Sequence, residues 1–164
     1  MNLQKIFEMQ KVLDQRIVKE HELENKYLLP EKVLALQVEL GELANEWRGF
    51  KFWSNKPASP KEIILGEYVD GLHFILSIGL ELEFDFELPV LAIEPIQCSD
   101  ITQQFSYLFA ADWEIYEPGD GAYYHEGLEL FIGLGWMLGF TWEEIEQAYM
   151  KKNEVNHQRQ ENGY

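Results

Sequence analysis

The sequence of 164 residues has one cysteine, few basic residues and no long apolar run. With Cys98 alone, the chain can build neither a disulfide framework nor a cysteine-based zinc site. Its 13 lysine and arginine residues face 29 acidic residues, so the net charge is −16. A surface this acidic repels a phosphate backbone, and we therefore expect no nucleic-acid partner. The acidic charge does not exclude binding of a small phosphate ligand, because a metal ion can bridge carboxylates to phosphate.

Membrane insertion and export are disfavoured by what is missing. No stretch approaches the ~20 consecutive apolar residues that a membrane-spanning helix needs. The N-terminal segment MNLQKIFEMQKVLDQR is amphipathic and charged, whereas a signal peptide has an apolar core. We expect a cytoplasmic protein with no membrane partner.

A helical period dominates the first half of the chain. In LQKIFEMQKVLDQRIV, apolar residues recur every three or four positions on one helix face: Ile6, Met9, Leu13 and Ile17. A second helix is predicted over about 31–48, opened by Pro30. A third is predicted to run to about Leu82, with Ser59 as N-cap, Pro60 at the first helical position and Glu62 completing a capping box.

The helical period breaks over residues 83–100, where Pro89 and Pro95 predict a loop. Helices are predicted to resume over about 100–114 and 121–138, with Gly139 ending the second of them. The sequence TWEE at 141–144 predicts a capping box that starts the last helix. No repeat or long linker divides the chain. We predict one all-α domain over residues 1–164, a bundle of five or six helices.

Two pairs of carboxylates interrupt otherwise apolar helices. Glu39 and Glu42 stand one turn apart, as do Glu67 and Asp70. Such spacings are common on solvated helix faces, so one pair alone is weak support for a site. Two pairs that can face each other across a helical hairpin predict an oxygen-rich site for Mg²⁺, with Mn²⁺ as the alternative.

The last fourteen residues, KKNEVNHQRQENGY, place basic side chains in an acidic protein. On a helix, Lys152, Asn156 and Arg159 fall on one face, where they can donate to phosphate oxygens. The competing interpretation is a solvated terminal segment without a ligand. Because the segment has few apolar residues, we expect it to order when nucleotide and metal bind.

The carboxylate motif Glu39-x-x-Glu42 with Glu67-x-x-Asp70 resembles that of the all-α nucleoside triphosphate pyrophosphatases, which include the MazG-like enzymes. Within that superfamily, ELANEWRGFKFWSNK, DGLHFILSIGL and KNEVNHQRQENGY resemble the dimeric dUTPases of bacteria and phages. The stretches occur in the expected order and span nearly the whole chain. The resemblance implies a Mg²⁺-dependent homodimer that cleaves dUTP, and alternatively dUDP, to dUMP.

The resemblance also implies roles for individual residues. The four carboxylates Glu39, Glu42, Glu67 and Asp70 would bind metal, and Glu39 or Glu42 would also orient the attacking water. Phosphates would be bound by the stripe of residues on one face of the terminal helix, namely Lys152, Asn156 and Arg159. The uracil pocket would be formed by Gln10, Asp14, Trp53, His73 and Phe74, although some relatives have Asn where this chain has Asp14.

Two other functions remain open from the sequence. A MazG-like pyrophosphatase for another nucleotide would have the same carboxylates and a different base pocket. A non-enzymatic helical interaction protein would need neither, so four inward carboxylates disfavour it.

Overall fold

A computed structural model of the protein describes residues 3–86, 93–114 and 122–163. Within these ranges the regular structure is helical, without a strand. Six α-helices and one short 3-10 helix are present: α1 (Leu3–Glu20), α2 (Leu29–Trp47), α3 (Lys61–Glu81), the 3-10 helix (Phe84–Phe86), α4 (Ile101–Ala110), α5 (Ala122–Met137) and α6 (Trp142–Glu161). The predicted all-α class is confirmed.

The periodic face of α1 packs as its sequence predicts. Ile6 and Leu13 are buried, and Met9 and Ile17 are partly buried on the same side. Gln10 lies among them and is also buried, at 3% exposed. A buried amide needs hydrogen-bond partners, which the site described below supplies.

Helix α3 is the central element, packing against α1, α2, α5 and α6. Among the described residues, it alone is long and apolar enough to span a membrane. Most of its apolar stretch is buried inside the protein, as in the core helix of a bundle. Helix α2 runs antiparallel to it and ends where Arg48 adopts a left-handed conformation, with φ of 64°.

The two predicted capping boxes have opposite outcomes. At α6, the Thr141 hydroxyl accepts from the Glu144 backbone N–H at 3.2 Å, and the Glu144 carboxylate accepts from the Thr141 N–H at 2.8 Å. At α3 the prediction is wrong, because Pro60 is the N-cap and no side chain caps the helix. The Ser59 hydroxyl instead donates to the carboxylate of Glu46.

The bond between Ser59 and Glu46 closes the α2–α3 loop, which comprises residues 48–60. The Ser59 backbone N–H also donates to the Glu46 carbonyl oxygen at 2.9 Å. The end of α2 is therefore tied to the start of α3 by a backbone and a side-chain hydrogen bond.

Helix α4 is shorter than predicted. Asp100 caps it by accepting from the Gln103 N–H at 2.9 Å, but Ala111 is already extended. The chain turns there to bury Trp113, whose indole donates to the Leu108 carbonyl oxygen at 3.2 Å. Gly139 ends the helical run after α5 with φ of 80°, as predicted. In the predicted loop, residues 84–86 form the 3-10 helix, 93–100 are irregular, and Pro89 lies outside the described residues.

Candidate active site

Three of the four predicted carboxylates converge where α2 crosses α3. Glu39, Glu67 and Asp70 each contribute an oxygen that lies within 4.8 Å of the other two. A close approach of helices helps to bring them together. A Cβ added to Gly71 would lie 3.2 Å from the Phe131 ring and 3.9 Å from the Glu39 Cβ.

The fourth carboxylate, Glu42, lies outside this cluster. It is one turn further along α2 and exposed to solvent. Its charge still raises the pKa of both Glu39 and Glu67, so it belongs to the same electrostatic site. The neighbouring Gly41 has no atom within 4 Å of an added Cβ, and its helix therefore makes no close contact there.

Charge repulsion is strong within the carboxylate cluster. Burial, followed by the charges of Asp70, Glu42 and Glu67, raises the pKa of Glu39 to about 7. Burial and Asp70 likewise raise the pKa of Glu67. The Lys152 ammonium lies 2.6 Å from Asp70 Oδ2 and opposes both shifts. An all-oxygen donor set with uncompensated negative charge fits a hard divalent cation.

A cavity of about 450 Å³ adjoins the cluster. It brings together most of the predicted site residues, from α1, α2, α3 and α6: Gln10, Asp14, Glu39, Asp70, His73, Phe74, Lys152, Asn156 and Arg159. Glu42, Glu67 and Trp53 do not line it. Trp53 is 65% exposed in the α2–α3 loop, where its ring contacts those of Phe50 and Phe52 edge-on.

The predicted stripe on α6 faces the cavity, because Lys152, Asn156 and Arg159 all line it. The helix runs to Glu161, so the stripe forms its last turns, and its ordering on nucleotide binding stays a prediction. Polar contacts to α1 replace the apolar contacts that the segment lacks. His21 Nε2 lies 3.0 Å from Gln160 Oε1, and Arg16 lies 3.5 Å from the Glu161 carboxylate.

A chain of hydrogen bonds connects the polar residues at α1. Asp14 accepts from Ser77 Oγ at 2.5 Å and from Gln10 Nε2 at 2.7 Å. The Gln10 oxygen accepts from the Tyr149 hydroxyl at 2.7 Å and lies 2.7 Å from His73 Nδ1. An ionised Asp14 can only accept, so it orients the amide of Gln10 with its oxygen toward His73.

This orientation determines the tautomer of His73. Because the Gln10 oxygen is an acceptor, Nδ1 of His73 must carry a proton and donate it. Burial, with a smaller effect of Lys152, lowers the pKa of His73 to about 3, so the ring is neutral. Its Nε2 is then an acceptor, buried and without a hydrogen-bond partner among the described residues.

A family model described as dUTPase matches residues 2–164, which is nearly the whole chain. The chain belongs to the dUTPase family. The protein is thus an enzyme that hydrolyses dUTP, and the resemblance derived from its motifs is confirmed. A comparison with curated proteins finds no match. The family implies a nucleotide substrate, and divalent metal is general among dUTPases.

Several residues of this dUTPase site were not predicted, and three of them bear on its polar contacts. Lys32 and Ser77 line the cavity, and Tyr149 stacks on His73 with ring centroids 4.2 Å apart. Tyr149 precedes Lys152 by one turn on the same helix face, so extending the stripe would have found it. Lys32 follows Glu31 in the first turn of α2, where a lysine has the pattern of an ordinary solvated charge.

Proposed function

We propose that this dUTPase cleaves dUTP to dUMP and pyrophosphate with Mg²⁺ bound by Glu39, Glu67 and Asp70. The observation that carries the proposal is a cluster of three carboxylates beside a cavity that basic side chains also line. We propose further that residues 1–164 form the one catalytic domain and that the enzyme acts in the cytoplasm. Mn²⁺ is the alternative metal.

Two groups of side chains at the site have different roles. The carboxylates hold the metal, which when bound supplies charge to offset that developing on the phosphates. Lys152, Asn156 and Arg159 donate to phosphate oxygens. Glu42 is exposed to water and lies one turn from Glu39, so we assign it the orientation of the attacking water.

The base would be recognised by Gln10, Asp14 and His73, with Phe74 as an apolar wall. Their hydrogen bonds hold each side chain in one orientation before substrate binds. Such preorganisation lowers the entropy lost on binding and makes recognition selective.

We also propose a homodimer. Helix α2 exposes Leu34 and Val38, which are 62% and 51% exposed, and the α2–α3 loop exposes Phe52 and Trp53. Burying such side chains against a second copy would be favourable. Trp53 lies outside the cavity of its own chain, so we assign its base-binding role to the other subunit's site. A monomeric mass by light scattering would contradict this proposal.

The direct test measures dUMP and pyrophosphate release from dUTP by purified protein. We expect turnover with Mg²⁺, its loss in EDTA, and its return when Mg²⁺ or Mn²⁺ is added in excess. Without a cation, nothing at the carboxylates would offset the charge that develops on the phosphates, so turnover should stop. Equal rates in EDTA and in Mg²⁺ would show that the metal assignment is wrong.

Replacing Lys152 should have opposite effects on metal binding and on nucleotide turnover. Its ammonium contacts Asp70, so Lys152→Met should tighten Mn²⁺ binding in the absence of nucleotide. The same change should lower kcat/KM for dUTP by roughly 10- to 100-fold, the worth of a hydrogen bond to a charged group. Calorimetry with Mn²⁺ and steady-state kinetics measure the two effects.

The matched control for this pair of measurements is Lys151→Met. Lys151 is the exposed neighbour and does not line the cavity. It should leave both quantities unchanged. Weaker Mn²⁺ binding by Lys152→Met would contradict competition between the ammonium and the metal.

A further inference from the structure

Lys32 is a nearly buried lysine in the wall of the cavity. Its side chain is 14% exposed, and its ammonium has three acceptors nearby. These are Glu81 Oε2 at 2.6 Å, the Ser77 carbonyl oxygen at 3.4 Å and Asp14 Oδ2 at 3.7 Å. The proposed mechanism assigns it no part, since it contacts neither the carboxylate cluster nor the α6 stripe.

The contact with Lys32 favours the ionised form of Asp14, against burial, which raises the pKa of this carboxyl. Burial alone favours the protonated acid, and the charge of Lys32 is the largest influence that favours the carboxylate. A protonated Asp14 could donate to Gln10 and allow its amide to turn over. The amide nitrogen would then face Nδ1 of His73, and the proton of the imidazole would have to move to Nε2.

The two arrangements present different groups to a nucleobase. With Asp14 ionised, Gln10 retains one N–H without an acceptor in the described part of the chain, and His73 retains an acceptor at Nε2. Uracil offers a carbonyl oxygen beside an N3–H, which matches a donor beside an acceptor. Cytosine has a lone pair at N3, which faces the lone pair of His73 Nε2 unfavourably.

We propose that Lys32 is a positioning residue that sets preference for uracil over cytosine by holding Asp14 as a carboxylate. The effect passes from Lys32 through Asp14 and Gln10 to His73, over three successive side-chain contacts. It rests on the proposed role of these residues in binding the base.

The test compares kcat/KM for dUTP with kcat/KM for dCTP in Lys32→Met. We expect the ratio of the two to fall at least about tenfold, chiefly through a higher KM for dUTP, because a mispaired buried polar group costs selectivity. Lys32→Arg keeps the charge and should restore much of the ratio. Lys19→Met, an exposed lysine on α1, is the matched control and should leave it unchanged.

A double-mutant cycle separates this effect from simple loss of packing. In an Asp14→Asn background no carboxylate needs a counter-charge, so adding Lys32→Met should change the ratio by less than about twofold. An unchanged ratio in Lys32→Met, or equal effects in both backgrounds, would overturn the inference. A wild-type enzyme that turns over dUTP and dCTP equally would instead overturn the proposed base site.

If Lys32→Met does not fold, Ser77→Ala tests the same series of contacts from Asp14 through Gln10 to His73. Ser77 donates to the Asp14 oxygen that Lys32 approaches, and removing this donor also weakens the carboxylate form. The dUTP-to-dCTP ratio should fall in this variant too. Retention of the full wild-type ratio would overturn the inference.

Discussion

Glu39→Gln is expected to lower kcat for dUTP by about a thousandfold or more at saturating Mg²⁺, which corresponds to roughly 4 kcal/mol of transition-state stabilisation. The change removes one of three converging carboxylates and keeps the size of the side chain. Glu39 forms no side-chain hydrogen bond with another described residue that the amide would break, and the packing around it should persist. Steady-state kinetics with a Mg²⁺ titration measures the effect.

The same variant should not lose stability when metal is absent. The pKa of Glu39 rises from 4.5 to about 7 on folding, so the folded protein binds this proton more tightly than the unfolded chain does. The contribution of this group to stability therefore falls as pH rises from 4.5 to 7. Glutamine does not ionise, so at pH 8 in EDTA the variant should melt at or above the wild-type temperature.

Glu62→Gln is the matched control for this substitution. Glu62 is exposed in the first turn of α3, and its side chain makes no capping bond. It should keep near-wild-type kcat. Near-wild-type kcat in Glu39→Gln as well would remove Glu39 from the metal site.

The second large effect concerns the base. We expect kcat/KM for dUTP to exceed that for dCTP by roughly 10³-fold or more, because a mismatch leaves buried polar groups unpaired. Rejection of dTTP should be weaker, on the order of 10- to 200-fold, since it relies on excluding one methyl group. Competition assays with the three nucleotides give both ratios.

Gln10→Met tests whether the amide carries the discrimination. It should lower the dUTP-to-dCTP ratio, whereas Gln4→Met, at an exposed position of α1, should preserve it. Discrimination that survives Gln10→Met would place base recognition elsewhere. Equal turnover of dUTP and dCTP by the wild-type protein would contradict the proposed pocket.

The elements that the sequence predicted well are those determined by local pattern. Apolar residues at intervals of three or four, among them Ile6 and Leu13, define the buried face of α1. Thr141 and Glu144 complete a capping box within four consecutive residues. The carboxylate pairs needed one assumption more, that α2 and α3 are antiparallel neighbours. Consecutive helices are usually neighbours in space, which makes that arrangement common.

The predictions that failed or fell short depend on residues distant in sequence. Ser59 has a capping-box pattern, yet Glu46 takes its hydroxyl. Lys32 is an unremarkable charge until α1 and α3 place Asp14, Ser77 and Glu81 around it. The contacts between the terminal segment and α1 were not foreseen, because they are polar and a count of apolar residues does not register them.

The hydrogen bonds between Ser59 and Glu46 separate the metal-binding part of the α2–α3 hairpin from its exposed loop. Since these hydrogen bonds tie the end of α2 to the start of α3, we expect the carboxylates to keep their positions when the loop residues in between are changed. Phe52 and Trp53 can therefore be replaced under selection for a new surface or partner while the metal-binding residues stay in register. The surface of the loop can therefore change in evolution while the metal-binding carboxylates are retained.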